Sequence, residues 1–143
     1  MKRRLLLVDG YNVLNAWKGM LAGRPLSDAR DALVARLHDY AGASGQKVIV
    51  VFDAYRVPGS PGSIEQYHNI HVVYTKEAET ADMFIERVTH EIGKSRRVRV
   101  ATSDGMEQVI ILGHGALRVS ARTFHEEVQN VEKQIRALVQ GQA

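Results

Sequence analysis

Three apolar runs in this chain each lead into an aspartate. Arg4-Leu5-Leu6-Leu7-Val8 delivers Asp9, Val48-Ile49-Val50-Val51-Phe52 ends at Asp53, and Val98-Arg99-Val100-Ala101-Thr102-Ser103 ends at Asp104. A short run that is apolar throughout, rather than at alternate positions, predicts a strand buried on both faces, as in the centre of a parallel sheet. Between these runs the apolar spacing changes to three and four. Val13, Leu14 and Trp17 give a partial helical face after Asn12. Ser27-Asp28 reads as a helix start, with Ala29, Leu33, Val34 and Leu37 as its inner stripe and Gly42 and Gly45 at its end. Thr80 caps a helix to about Ile92 through Ala81, Phe84, Ile85 and Val88. Glu107–Leu112 reads as a short helix, and Ala121–Val139 as a long one with Phe124, Val128, Val131, Ile135 and Leu138 inside. Ile70–Tyr74 and Leu117–Val119 complete a set of five strands. Tyr55 to Asn69, with Pro58, Gly59, Pro61 and Gly62, reads as a long exposed loop.

Strands alternating with helices imply an α/β fold: a single doubly wound parallel sheet with helices on both faces and right-handed crossovers. The 143 residues contain no repeat and no linker, so residues 1–143 read as one domain. In such a sheet the working crevice lies outside the carboxyl ends of the strands. Asp9, Asp53 and Asp104 would converge there. Carboxylates held together repel, and hard oxygen donors select Mg²⁺ or Mn²⁺ as the neutralising ion. Asp82 adds a fourth acid in the first turn of the Thr80 helix, where the helix dipole also favours negative charge. Glu79 and Glu86 read as solvated.

Composition narrows the chemistry. There is no cysteine, which excludes disulfides, thiolate zinc sites and a cysteine nucleophile and fits a reducing compartment. The six histidines show no ligand spacing. The basic start Met1-Lys2-Arg3-Arg4 precedes too short an apolar run for a signal peptide, and no stretch has the length of a membrane span. The expectation is a soluble, cytoplasmic protein without a membrane partner. A net charge of +3 gives a mildly basic surface suited to a polyanion.

In order, Asp9-Gly10-Tyr11-Asn12, Phe52-Asp53, Glu79-Thr80-Ala81-Asp82 and Thr102-Ser103-Asp104 resemble the successive motifs of the NYN domain. More narrowly they resemble its YacP-like branch of bacterial and plastid ribonucleases. The resemblance covers nearly the whole chain and implies a PIN-like nuclease fold with strand order 3-2-1-4-5. It implies a metal-dependent endoribonuclease acting on single-stranded RNA, with ribosome-associated mRNA as the setting. By the resemblance Asp9, Asn12, Asp82 and Asp104 match the catalytic residues, and Asp9, Asp53, Asp82 and Asp104 the ligands of Mg²⁺ or Mn²⁺.

Asn12 can hold the Asp9 carboxylate, contact phosphate or cap a helix. Gly10 would let the backbone approach a ligand closely. Ser103 can donate to a phosphate oxygen or an acid, or be a plain turn serine. Tyr55 and Arg56, on the loop after the second strand, suit stacking on unpaired bases, with Lys76 and Arg24 as further basic contacts. Lys94, Arg96, Arg97 and Arg99 form the densest basic cluster, at the sheet end opposite the acids. Two other readings remain. A phosphoacceptor domain of the response-regulator type would need a second acid beside Asp9, where Gly-Tyr-Asn stands. A non-catalytic RNA- or ribosome-binding module of the same fold is the stronger alternative, although binding a polyanion gives no reason for four acids at one crevice.

Overall fold

The computed structural model describes residues 4–54, 59, 61–93, 95–103 and 115–141. Along it run β1 (Arg4–Asp9), α1 (Gly10–Ala16), α2 (Leu26–Ser44), β2 (Lys47–Phe52), β3 (Ser63–Tyr67), β4 (Ile70–Tyr74), α3 (Ala81–Ile92), β5 (Arg97–Ala101), β6 (Leu117–Val119) and α4 (Ala121–Val139). The six strands form one sheet in the order β3-β4-β2-β1-β5-β6. The five strands expected from sequence are β1, β2, β4, β5 and β6. They are mutually parallel and lie in the order the resemblance implied.

β1 sits at the centre because its side chains can be buried on both faces. Leu5, Leu6, Leu7 and Val8 are each 1% exposed or less. Leu6 and Val8 face a large core closed by α1, α2 and α4, with Trp17, Leu33, Leu37, Tyr40, Phe52 and Phe124. Leu5 and Leu7 face a smaller core under α3, with Val51, Val73, Ile85, Val98 and Val100. The alternation that divides Leu5 from Leu6 also decides the side on which Asp9 stands.

Two expectations need correction. The segment 55–69 is not all loop. Its residues Ser63–Tyr67 form β3, an edge strand antiparallel to β4, so the sheet is mixed. All five residues of β3 are exposed. With neither face buried, the strand has no apolar period to reveal it. Second, the first helix begins at Gly10 instead of after Asn12, and no side chain caps it. Asp104, Tyr55, Arg56, Lys94 and the expected helix Glu107–Leu112 lie outside the described residues. No helix among the described residues is long and apolar enough to cross a membrane.

Candidate active site

Asp9 closes the central strand and is only 8% exposed. It has the same parity along β1 as Leu5 and Leu7, which places it on the α3 side of the sheet. β5 pairs with β1 in a register that sets Val8 opposite Ala101, so Thr102 arrives level with Asp9. The Thr102 hydroxyl donates to Asp9 Oδ2 at 3.4 Å. A nearly buried carboxylate is thereby given a fixed orientation by the neighbouring strand.

Asp53 follows β2 directly and is half-buried. Thr75, just past β4, fixes the approach to it. The Thr75 N–H donates to Phe52 O at 3.1 Å, and its Oγ1 accepts the N–H of Ala54 at 2.8 Å. Asp82 is the second residue of α3 and also half-buried. Thr80 caps that helix by accepting the N–H of Met83 at 3.1 Å, as its sequence position implied. Because α3 follows β4 and packs against β1 and β2, its first turn lies at the carboxyl end of the sheet. Glu79 is not an isolated solvated residue: it pairs with Arg87 at 3.0 Å.

Asn12 has a different task from capping. It is the third residue of α1, and its Oδ1 accepts the backbone N–H of Ser103 at 2.8 Å. This bond joins the segment leaving β1 to the segment leaving β5, one residue before Asp104. Ser103 is tied a second time, since its Oγ accepts the N–H of Ala121, the first residue of α4, at 3.4 Å. The serine therefore joins two chain segments, its Oγ acting here as an acceptor, while a hydroxyl can also donate.

Gly10 also has another reason to be glycine. A Cβ there would stand 2.4 Å from Phe52 Cε1 and 3.0 Å from Val51 O. This close approach is to the core. Lys76 is exposed and follows Thr75 at the carboxyl end of β4. Its stem runs against Gly62, which has φ +75° and no room for a side chain: a Cβ would meet Lys76 Cγ at 2.9 Å.

The basic cluster is at the other end of the sheet, as expected. A cavity of about 610 Å³ opens there between Arg4, Arg96, Arg97 and Arg99. Arg99 is not available to a partner in the simple sense. It forms a bidentate pair with Glu127 at 2.9 and 3.0 Å and reaches Tyr40 and Gln46 at 3.4 Å.

Sequence reasoning missed Thr102, Tyr11, Arg30 and Tyr74. Tyr11, Phe52 and Tyr74 form an aromatic row at the carboxyl end, with ring centroids 5.1 and 5.6 Å apart. Arg30 NH1 donates to the Tyr11 hydroxyl at 3.1 Å, and the guanidinium lies over the Tyr74 ring. The tyrosine of Asp-Gly-Tyr-Asn was a visible signal, whereas a single arginine in a helix carries none.

The acids supply only carboxylate oxygens, the donor set that suits Mg²⁺ or Mn²⁺. Among the described residues no three acidic or histidine side chains meet as a metal cage. Asp104, the remaining acid of the motif, lies outside them.

Comparison with known proteins agrees with this arrangement. The chain matches the YacP-like NYN domain over residues 6–143. It is 42% identical over 134 residues to YacP of Bacillus subtilis (strain 168), covering 92% of this chain and 78% of that protein. It superposes on the crystal structure of Rae1 (YacP) from Bacillus subtilis with a TM-score of 0.81 at 40% identity, covering 96% of this chain and 80% of the other. A mutant T5 5′-exonuclease shares the fold alone, at a TM-score of 0.55 and 17% identity, over 85% of this chain and 51% of that one. With its sheet order, its acids at the strand ends and these relatives, the chain belongs to the YacP-like NYN domain family, whose fold is that of the PIN-like nucleases.

Proposed function

We propose that this chain is a metal-dependent endoribonuclease that hydrolyses phosphodiester bonds in single-stranded RNA. The observation that carries the reading is the placement of Asp9. A nearly buried carboxylate ends the central strand, and its two neighbours, β2 and β5, lead directly to Asp53 and Asp104. Such a group is unsuited to a surface that only attracts a polyanion, because burying a carboxylate is unfavourable unless something compensates it.

Asp9, Asp53, Asp82 and Asp104 would hold Mg²⁺ or Mn²⁺. When bound, the ion makes water a usable nucleophile near neutral pH and stabilises charge on the attacking and leaving oxygens. The protein's own contribution is placement. Thr102 orients Asp9, and the Asn12–Ser103 bond directs the chain toward Asp104. The amide nitrogen of Asn12 carries the donors left for an acid or a phosphate oxygen. Lys76 supplies positive charge at the same end of the sheet, and we assign Tyr55, Arg56 and the Ser103 hydroxyl to substrate contact on the strength of sequence position. The resemblance supports mRNA on the ribosome as the setting, in the cytoplasm, with residues 1–143 acting as one nuclease domain.

The test is cleavage of a labelled, mixed-sequence RNA, free and on ribosomes, with Mn²⁺ or EDTA. Asp9→Asn and Asp104→Asn should each abolish cleavage while RNA binding survives. Cleavage that continues in EDTA, or in Asp9→Asn, overturns the mechanism. Binding without cleavage by the wild type would leave a non-catalytic RNA-binding module.

A further inference from the structure

Arg30 is a cation held in place without an acid. It is the fifth residue of α2, whose first turns lie at the carboxyl end of the sheet because the helix runs back to start β2. Its NH1 donates to the Tyr11 hydroxyl at 3.1 Å, and its Cζ lies 5.9 Å from the centroid of the Tyr74 ring. No carboxylate among the described residues pairs with it. The other arginines of the two helix-to-helix and helix-to-strand ties behave differently: Arg36 closes on Glu132 and Arg99 on Glu127.

Its neighbours place it beside the acids. Tyr11 stands two residues after Asp9. Tyr74 ends β4 opposite Phe52, the residue before Asp53. Strand parity puts Phe52 with the core under α1, α2 and α4, and Tyr11 and Tyr74 pack against that same core. Asp9 has the parity of the opposite face. The aromatic row and its arginine therefore flank the acids across the upper edge of the sheet. A polynucleotide laid over that edge would meet both.

We propose that Arg30, steadied by Tyr11 and Tyr74, binds a phosphodiester adjacent to the one that is cut. The inference rests on the nuclease reading above. A guanidinium offers five donors in a planar fork, more than its contacts with Tyr11 and Tyr74 use, so a donor remains for a phosphate oxygen. Both tyrosines hold the fork before the substrate arrives, so less side-chain freedom is lost on binding. Burial raises the Tyr74 phenol above its ordinary range, against the opposing pull of Arg30.

A purely structural arginine would stabilise the junction of α1 and α2 but would not register charge on the RNA. The experiment therefore varies that charge. The full chain, Arg30→Gln, Arg30→Lys and Tyr11→Phe are compared on a single-stranded RNA, with binding measured in EDTA and cleavage in Mn²⁺. The same RNA is also made with one neutral methylphosphonate linkage, moved step by step past the cut site. Arg30→Gln should raise both Kd and KM about tenfold, the effect expected for losing one charge-assisted hydrogen bond, with kcat nearly unchanged. It should lower the slope of log affinity on log salt by about 0.7, the value for one phosphate of a single strand. Arg30→Lys should restore the slope and only part of the affinity. Tyr11→Phe should weaken binding while leaving the slope intact.

One methylphosphonate next to the cut should weaken the wild type and have no effect on Arg30→Gln. An unchanged salt slope and methylphosphonate profile in Arg30→Gln, from a wild type that binds and cuts, overturns this assignment alone. The methylphosphonate profile of the wild type decides the matter even if Arg30→Gln fails to fold: with no sensitive linkage beside the cut, the assignment falls. A wild type that neither binds nor cuts single-stranded RNA overturns the nuclease reading and this one together.

Discussion

At Gly10 and His71 the side chain, or its absence, decides a local energy. Gly10 touches the buried Phe52 ring, and an added methyl group has nowhere to go. Alanine is the better helix former by about 1 kcal/mol, but overpacking a closed core costs about 1–3 kcal/mol. Since Phe52 is fully buried and Val51 O is also close, packing should win. Gly10→Ala should melt lower than the wild type, and Phe52→Leu should relieve it; additive losses in the double variant would refute the clash. His71 lies in β4 with a buried Nδ1 that has no hydrogen-bond partner among the described residues. Burial, then Lys47, lowers its pKa below the ordinary 6.5. Burial likewise lowers His125. A base whose pKa is depressed on folding leaves stability intact above pH 6.5 and removes it as the pH falls through that value toward the folded pKa. The melting temperature should drop on acidification from pH 6.5, and His71→Val should raise it and flatten the drop. Valine suits a position opposite Ile49. An equal pH slope in the variant would assign the effect to other groups. Asp9 could be read from sequence because it terminates an apolar run. The partner of Asn12 could not, for Ser103 is 91 positions away and a backbone N–H leaves no mark in a sequence.

At the scale of elements, the central strands were legible through their burial. β1, β2 and β5 were visible because both faces are covered. β3 was not, since it gains its place by pairing along one edge of β4. α3 was legible from both its stripe and its cap. Thr80 satisfies the Met83 N–H, and Thr80→Ala should destabilise the fold by about 1 kcal/mol, as for other N-caps. Because Asp82 belongs to the same first turn, cleavage should fall further than stability does. Equal activity per folded molecule would show that the turn need not be held for Asp82 to work. The ties of α4 were invisible for another reason. Arg36–Glu132 and Arg99–Glu127 join residues that no period relates. They turn part of the basic composition inward, so the number of basic residues alone overstates the positive charge the surface offers to a polyanion.

Across the whole molecule, strand order brings acids distant in sequence to one end of the sheet, and that end should respond to ions as a unit. Mn²⁺ that binds only the folded chain stabilises it by about 2.7 kcal/mol at a hundred times its dissociation constant. The melting temperature should therefore rise with Mn²⁺ in the wild type and much less in Asp9→Asn. A wild type indifferent to millimolar Mn²⁺ would count against a metal site. Sheet order was legible because the motifs resemble a family and apolar runs mark the central strands; the aromatic row was not, because it is assembled from three elements. The central position of β1 also has a consequence in time. The first strand synthesised acquires one flank only when β5 exists, and the Trp17 indole waits for Ala121 O, 104 residues later, to accept its N–H. Long-range pairing of this kind delays folding until the distant segment is present. A nascent chain halted before Arg97 has Asp9 but lacks both the strand that flanks it and Thr102, whose hydroxyl donates to it, so the acid is set in place only late in synthesis.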